Sequence, residues 1–186
     1  MKICEEKYIK MRSLVHNTNK IEENIFSILE DIALDVVNGR TDAMGSIIVF
    51  GNFLQSRDRM ENLIQMKPKK NPINSLIMVG SEESILTIRK FSRHPYDGAI
   101  VIDITGQIIG AGIYLVVDHP TIDLSEDCGT RHKAAASFSL QNNVYSVLTL
   151  SGETNSVRIW KSGKEVINKK HIRNHGDSYE QYSFKF

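Results

Sequence analysis

Long apolar runs are missing from the 186-residue sequence. The longest, at residues 76–80 and 99–102, have the length of a strand. A helix that spans a bilayer needs roughly 20 apolar residues. The first ten residues are charged and lack the apolar region of a secretory signal. We therefore predict a soluble, cytoplasmic protein that does not engage a membrane.

Cysteine is scarce, and neither sign of charge dominates. Cys4 and Cys128 form no C-x-x-C pair and no metal-binding spacing. We interpret them as reduced thiols, although a disulfide between them stays open. The 23 Lys and Arg residues nearly balance the 22 Asp and Glu residues. Without a sequence-wide excess of positive charge, no nucleic-acid partner is expected, and any polyanion must bind at a local site.

What the chain does have is enough apolar residues, 41%, to bury a core. Helical spacing of these residues over 21–37 predicts an amphipathic helix that ends near Gly39. Short β-branched runs predict buried strands, and Thr105-Gly106 marks a hairpin turn between two of them. Further helices are predicted at residues 57–65, 81–91 and 130–140, and strands at 45–51, 76–79, 99–103, 107–111, 114–117, 144–150, 156–160 and 165–167.

This alternation predicts an α/β fold with a mixed parallel and antiparallel central β-sheet flanked by helices. Residues 1–20 are predicted to form an N-terminal arm or short helix. Residues 21–170 are predicted to form one globular domain, and residues 171–186 a polar C-terminal tail.

The start of the helix at residue 130 carries unusual charges. Gly129 and Thr130 are followed by Arg131, His132 and Lys133. A helix start carries partial positive charge and normally prefers acidic side chains. A bound anion would remove this conflict, because backbone N–H groups, the hydroxyl and the cations would all converge on a phosphate. The alternative, which stays open here, is a threonine cap followed by a solvated basic turn.

Two further polar clusters lie at the ends of predicted strands. Asp97-Gly98-Ala99 enters a strand, where the carboxylate can hold a divalent metal or accept a proton from a hydroxyl. Ser151 and Glu153 follow a later strand, and Glu153 could complete a metal site with phosphate oxygens. Taken alone, each cluster is also consistent with an ordinary polar turn.

The order of the three clusters resembles the diadenylate cyclase family. The sequence reads DGAIVID from Asp97, GTRHKAA from Gly129 and LSGETNSVRIW from residue 150. The segment GSIIVFGN at 45–52 is similar to the first strand of that domain. Two departures stand out: Lys133 replaces a common arginine, and Gly152 replaces the first of two consecutive acidic residues.

The resemblance implies a cyclase that condenses two ATP molecules into cyclic di-AMP across a face-to-face homodimer or higher homo-oligomer. The alternative is a nucleotide-binding module with little or no activity. Mg²⁺ or Mn²⁺ is implied as cofactor. The implied catalytic residues are Asp97, Gly98 and Ala99; the ATP-binding residues are Gly112, Tyr114, Leu115, Gly129, Thr130, Arg131, His132, Lys133 and Ser151; the metal ligands are Asp97 and Glu153.

Overall fold

The computed structural model describes residues 2–54, 61–66, 69–73, 75–117, 124, 128–171 and 180–183, with side chains described from residue 16 to 171. The helices are α1 (Lys2–Val37), α2 (Glu82–Phe91) and α3 (Thr130–Phe138). The strands are β1 (Ser46–Gly51), β2 (Leu63–Gln65), β3 (Ile77–Met78), β4 (Ala99–Asp103), β5 (Gln107–Leu115), β6 (Val144–Leu150), β7 (Ser156–Lys161), β8 (Lys164–His171) and β9 (Glu180–Ser183).

These strands form a single sheet in the order β2-β5-β4-β1-β6-β7-β8-β9, with β3 paired to the other end of β5. Strands β1 and β4 are parallel, and β1 is antiparallel to β6. The hairpin around Thr105-Gly106 joins β4 and β5 antiparallel. The predicted mixed sheet flanked by helices is therefore confirmed.

Both faces of the sheet are covered, which explains the near-continuous apolar sequence of β1. Ile48 and Phe50 point into a core that β-strand residues share with α1 and α2. Val49 points into a second core on the opposite face, which includes Ala135 and Phe138 of α3. Alternate residues of one strand thus anchor two separate helical layers.

Several element boundaries differ from the prediction. Helix α1 runs without a break through residue 20, where the predicted arm or short helix should end. The predicted helix at 57–65 is wrong at its end, because residues 63–65 form strand β2, while 55–60 lie outside the described residues. Strand β9 lies within the predicted tail and pairs with β8. No helix in the described part of the chain is both long and apolar enough to cross a bilayer.

Asp103 fixes the far end of β4. Its buried carboxylate accepts hydrogen bonds from the backbone N–H groups of Phe53 and Leu54, each at 2.9 Å. The N–H and hydroxyl of Thr105 donate to the other oxygen at 2.9 and 2.8 Å. Burial alone raises the pKa of Asp103, but these donors outweigh burial and hold the pKa below its ordinary value. The carboxylate therefore ties the loop after β1 to the β4–β5 turn.

Candidate active site

A cleft of about 330 Å³ opens between the start of β4, the end of β5 and the start of α3. This volume lies at the lower end of the range for small-molecule sites. The cleft brings two of the three sequence clusters together, although more than 30 positions separate them in the chain. It is lined by Gly45, Ile47, Met66, Phe91, Asp97, Gly98, Ala99, Ile113, Tyr114, Leu115, Thr130, Arg131 and Ala134.

Asp97 and Gly98 form one wall of the cleft. The exposed Asp97 carboxylate accepts a hydrogen bond from the N–H of Gly98 at 2.8 Å. Gly98 has a φ of +98°, and a Cβ atom there would lie 2.8 Å from the carbonyl carbon of Gly112. Gly112 is the extra residue of a β-bulge in β5, because Ala99 pairs with Ile113 and Ile100 pairs with Ala111. A glycine pair therefore lets the two strands approach closely beside Asp97.

Tyr114 and Leu115 follow the bulge and line the cleft. Tyr114 keeps 55% of its surface exposed, whereas Leu115 is 92% buried. Gly112 itself is not a lining residue. Its carbonyl faces β2, where it accepts hydrogen bonds from the N–H of Met66 at 2.9 Å and the amide of Gln65 at 3.2 Å.

Helix α3 begins at the opposite wall. Gly129 is the N-cap residue and makes no side-chain capping bond, and the first turn carries no acidic residue. Thr130 and Arg131 line the cleft, and both are exposed. Backbone N–H groups at a helix start without a side-chain cap need a hydrogen-bond acceptor from outside the helix. This end of the cleft therefore has the chemistry of an anion-binding site, with a hydroxyl and a guanidinium alongside.

The other predicted residues of α3 lie on different sides of the helix. His132 is buried, and its ring packs against Trp160 with the ring centroids 6.0 Å apart. Lys133 is exposed and, like Gly129, is not a lining residue. Of the five residues predicted here, the structure thus brings only Thr130 and Arg131 to the cleft wall.

The third cluster lies next to the cleft but outside its lining. Ser151 is buried, and its hydroxyl accepts a hydrogen bond from the N–H of Thr154 at 3.3 Å. Glu153 is exposed on the same turn. A Cβ atom at Gly152 would lie 2.7 Å from the carbonyl oxygen of Met44. The turn therefore packs on the backbone immediately before Gly45, which does line the cleft.

Sequence reasoning missed several lining residues. Gly45 was the first residue of the strand predicted at 45–51, so a glycine before a β-branched run was an available signal. Met66 and Phe91 carried no local signal, because folding brings them to the cleft from the position after β2 and from the end of α2. Phe91 packs against Tyr96 with the ring centroids 4.9 Å apart. Ile47 and Ala134 were likewise not predicted.

The described residues contain no group of three or more His, Cys, Asp or Glu side chains that could hold a metal ion. Asp97 is the only carboxylate among the described lining residues. Mg²⁺ commonly uses one or two protein carboxylates and completes its shell with water and substrate phosphates. The described residues thus offer a donor set that fits a metal arriving with a nucleotide, and among them there is no preformed cage.

The chain belongs to the DAC family. The family model, described as "DisA bacterial checkpoint controller nucleotide-binding", matches residues 35–165. Two similar proteins are both named diadenylate cyclase. The one from Haloferax volcanii is 32% identical over 98 residues, covering 52% of this chain and 35% of the relative. The one from Methanocaldococcus jannaschii is 32% identical over 125 residues, covering 67% and 38%. The chain thus spans little more than a third of these relatives.

Two solved structures share the fold. A hypothetical membrane spanning protein from Bacillus cereus has a TM-score of 0.56 at 18% identity, covering 77% of this chain and 61% of that one. A double mutant of DacA from Staphylococcus aureus has a TM-score of 0.53 at 23% identity, covering 79% and 85%. At these identities the likeness establishes the fold alone. The resemblance drawn from the sequence motifs is confirmed by the family match.

Proposed function

We propose that this chain is a diadenylate cyclase that condenses two molecules of ATP into cyclic di-AMP and releases two pyrophosphates. One observation carries the proposal: a single cleft joins the Asp97-Gly98-Ala99 strand start to the Thr130-Arg131 helix start. The first supplies a carboxylate, and the second supplies donors for phosphate. Membership of the DAC family and the names of the two relatives support the same reaction.

The lining suggests how ATP would bind. Ile47, Tyr114 and Leu115 form an apolar section that suits an adenine ring. Thr130, Arg131 and the first backbone N–H groups of α3 would hold the triphosphate by charge-assisted hydrogen bonds. Gly98 would let the ribose lie against the backbone. The 3′-hydroxyl would then be near Asp97, whose carboxylate can accept the proton as the oxygen attacks the α-phosphate of the other ATP.

The reaction needs a second cleft. A cleft of about 330 Å³ suits one nucleotide, whereas the reaction joins two. Two subunits that face each other would each present one ATP, and reciprocal attacks would close the ring. Pyrophosphate leaves as each new bond from a 3′-oxygen to phosphorus forms. Catalysis would then rest mainly on positioning and charge stabilisation.

Mg²⁺ or Mn²⁺ is the cofactor that we propose. Asp97 would hold the ion together with phosphate oxygens, and Glu153 is the second carboxylate assigned from the sequence. The bound ion would neutralise charge on the triphosphate. Asp97 and Arg131 would act at the two sides of the cleft, on the attacking hydroxyl and on the phosphates respectively.

One observation favours the alternative, a nucleotide-binding module that does not turn ATP over. Asp97 is the only carboxylate among the described lining residues, since Glu153 lies on the neighbouring turn and Gly152 has no side chain. A site with one carboxylate binds a metal–nucleotide complex less tightly than a site with two. The alternative shares the same cleft and differs in its product.

One assay distinguishes the cyclase from the nucleotide-binding module. Purified protein is incubated with ATP and Mn²⁺, and the nucleotides are resolved by anion exchange. Cyclic di-AMP together with pyrophosphate supports the cyclase. Bound ATP without product supports the module. If neither binding nor product is found, both are wrong.

The phosphate role of the α3 start has its own test. Thr130→Ala should raise the KM for ATP about tenfold, because a hydrogen bond to a charged group is lost. Thr87→Ala on α2, outside the cleft lining, is the matched control and should leave KM unchanged. An unaltered KM in Thr130→Ala would show that the start of α3 does not bind the phosphates of ATP.

A further inference from the structure

Gly45 lies immediately before β1, and the guanidinium group of Arg131 lies on the side where a Cβ atom would stand. A Cβ atom at position 45 would lie 2.7 Å from Cζ and 2.8 Å from Nη2 of Arg131, and closer still to Nη1. All three distances are shorter than a van der Waals contact. The guanidinium therefore occupies the space that any side chain at position 45 would need.

We infer that Gly45 is a positioning residue for Arg131: its missing side chain creates the seat on which the guanidinium group rests at the cleft wall. The inference rests on the proposed function only in giving Arg131 the phosphates of ATP to bind. Gly45 and Arg131 both line the cleft. Neither residue's neighbours in sequence reveal the contact, since 86 positions separate 45 from 131.

The backbone at Gly45 is fixed in position by contacts with its neighbours. The N–H of Gly45 donates to the carbonyl of Ser92, at the end of α2, at 3.2 Å. Met44 is 98% buried in the core. The carbonyl oxygen of Met44 packs against Gly152 of the third cluster. The segment 44–45 therefore joins α2, the core and the turn at 152, and cannot easily retreat from Arg131.

Arg131 is the partner that can move. Its side chain is long, flexible and exposed, whereas the backbone of Gly45 is bound to the carbonyl of Ser92. The φ angle of Gly45 lies outside the left-handed region, so alanine fits the backbone there. Gly45→Ala should consequently leave the fold intact and displace the guanidinium into solvent. The cation then leaves its place at the cleft wall.

The expected effect is on ATP. Hydrogen bonds between charged groups depend on direction as well as distance, and the planar guanidinium fork is specific in both. Gly45→Ala should raise the Kd and KM for ATP about tenfold, with a smaller change in kcat. The melting temperature should stay close to that of the wild type. A merely structural glycine would show the reverse pattern.

The test is a double-mutant cycle in the full chain with Gly45→Ala, Arg131→Ala and the double variant. ATP affinity is measured by calorimetry with Mn²⁺, and KM and kcat are measured by product formation. If Gly45 acts through Arg131, Gly45→Ala has no further effect once Arg131 is alanine. Additive effects on ATP affinity would overturn the inference. Arg40→Ala removes an arginine outside the cleft lining and serves as the control.

A second measurement does not depend on catalysis. The Nε–Hε signal of Arg131 in a nitrogen–proton correlation spectrum reports the surroundings of its guanidinium. Gly45→Ala should shift this signal in protein without nucleotide, and an unmoved signal would overturn the inference. If the wild type binds ATP but makes no cyclic di-AMP, the proposed function fails, while the spectrum and the affinity cycle still decide the role of Gly45.

Discussion

Gly98→Ala tests directly whether the close approach of Gly98 and Gly112 shapes the strands beside Asp97. Gly98 has a φ of +98°, a conformation that costs an L-residue about 1–2 kcal/mol. The added Cβ would also lie 2.8 Å from two backbone atoms, the carbonyl carbon of Gly112 and the nitrogen of Ile113. Backbone atoms cannot rotate aside as a side chain can, and overpacking of this kind costs about 1–3 kcal/mol.

Together these effects should lower the free energy of unfolding by about 2–5 kcal/mol. A domain near the middle of the ordinary range, about 10 kcal/mol, would remain folded but with a clearly lower denaturation midpoint. Urea unfolding followed by circular dichroism measures the change. The start of β4 and the bulge in β5 should also move apart, so ATP binding should weaken in the protein that remains folded.

Gly129→Ala is the matched control for this measurement. Nothing lies within 4 Å of a Cβ built on Gly129, and its φ of −68° is open to any residue. Only helix capping changes, which costs up to about 1 kcal/mol. If Gly98→Ala destabilises the protein no more than Gly129→Ala does, the close approach of Gly98 and Gly112 is not what shapes this wall of the cleft.

Three further predictions concern particular side chains. Gly152→Asp gives the chain the paired acidic residues common in the family, but its Cβ atom would lie too close to the carbonyl of Met44. We expect it to lower the free energy of unfolding by about 1–3 kcal/mol and not to raise activity. Urea unfolding and product formation measure these two effects, and a stable, more active variant would contradict the prediction. Hydrogen bonds from Arg89 lower the pKa of Asp35 despite partial burial, and backbone donors do the same for Asp103 despite burial. Both carboxylates therefore stabilise the fold fully above their unfolded pKa of about 3.9, and this contribution should disappear as pH falls through the lower folded values. Asp103→Asn should cost about 2–4 kcal/mol at neutral pH and flatten the acid dependence of the unfolding free energy; an unchanged slope would show that Asp103 is not responsible.

The two main motifs could be found in the sequence because their signals were local, whereas only the family resemblance implied that they act in one site. Asp97-Gly98-Ala99 combined a carboxylate with a glycine at a strand start, and the α3 start carried cations where acids are normal. Hydrophobic patterning also predicted the mixed sheet and the hairpin at Thr105-Gly106. These features depend on residues that are neighbours in the chain, so the sequence shows them directly.

The sequence already indicates which side of α3 each residue faces. Thr130, Arg131 and Ala134 share the cleft side, whereas His132, Ala135 and Ala136 face the sheet. This is ordinary helical spacing, and counting from the two buried alanines would have placed His132 inward. The contact between Gly45 and Arg131 could not be predicted in this way, because it depends on the relative placement of β1 and α3.

The most direct test of the proposed function compares cyclic di-AMP formation by the wild type, Asp97→Asn and Asp31→Asn. Asp31 is exposed on α1 and outside the cleft lining, so its variant controls for the loss of one carboxylate. Anion exchange should show cyclic di-AMP and twice as much pyrophosphate from ATP and Mn²⁺ for the wild type and Asp31→Asn. Asp97→Asn should stay folded and form neither. Equal product from all three proteins, or none from the wild type, would contradict the account.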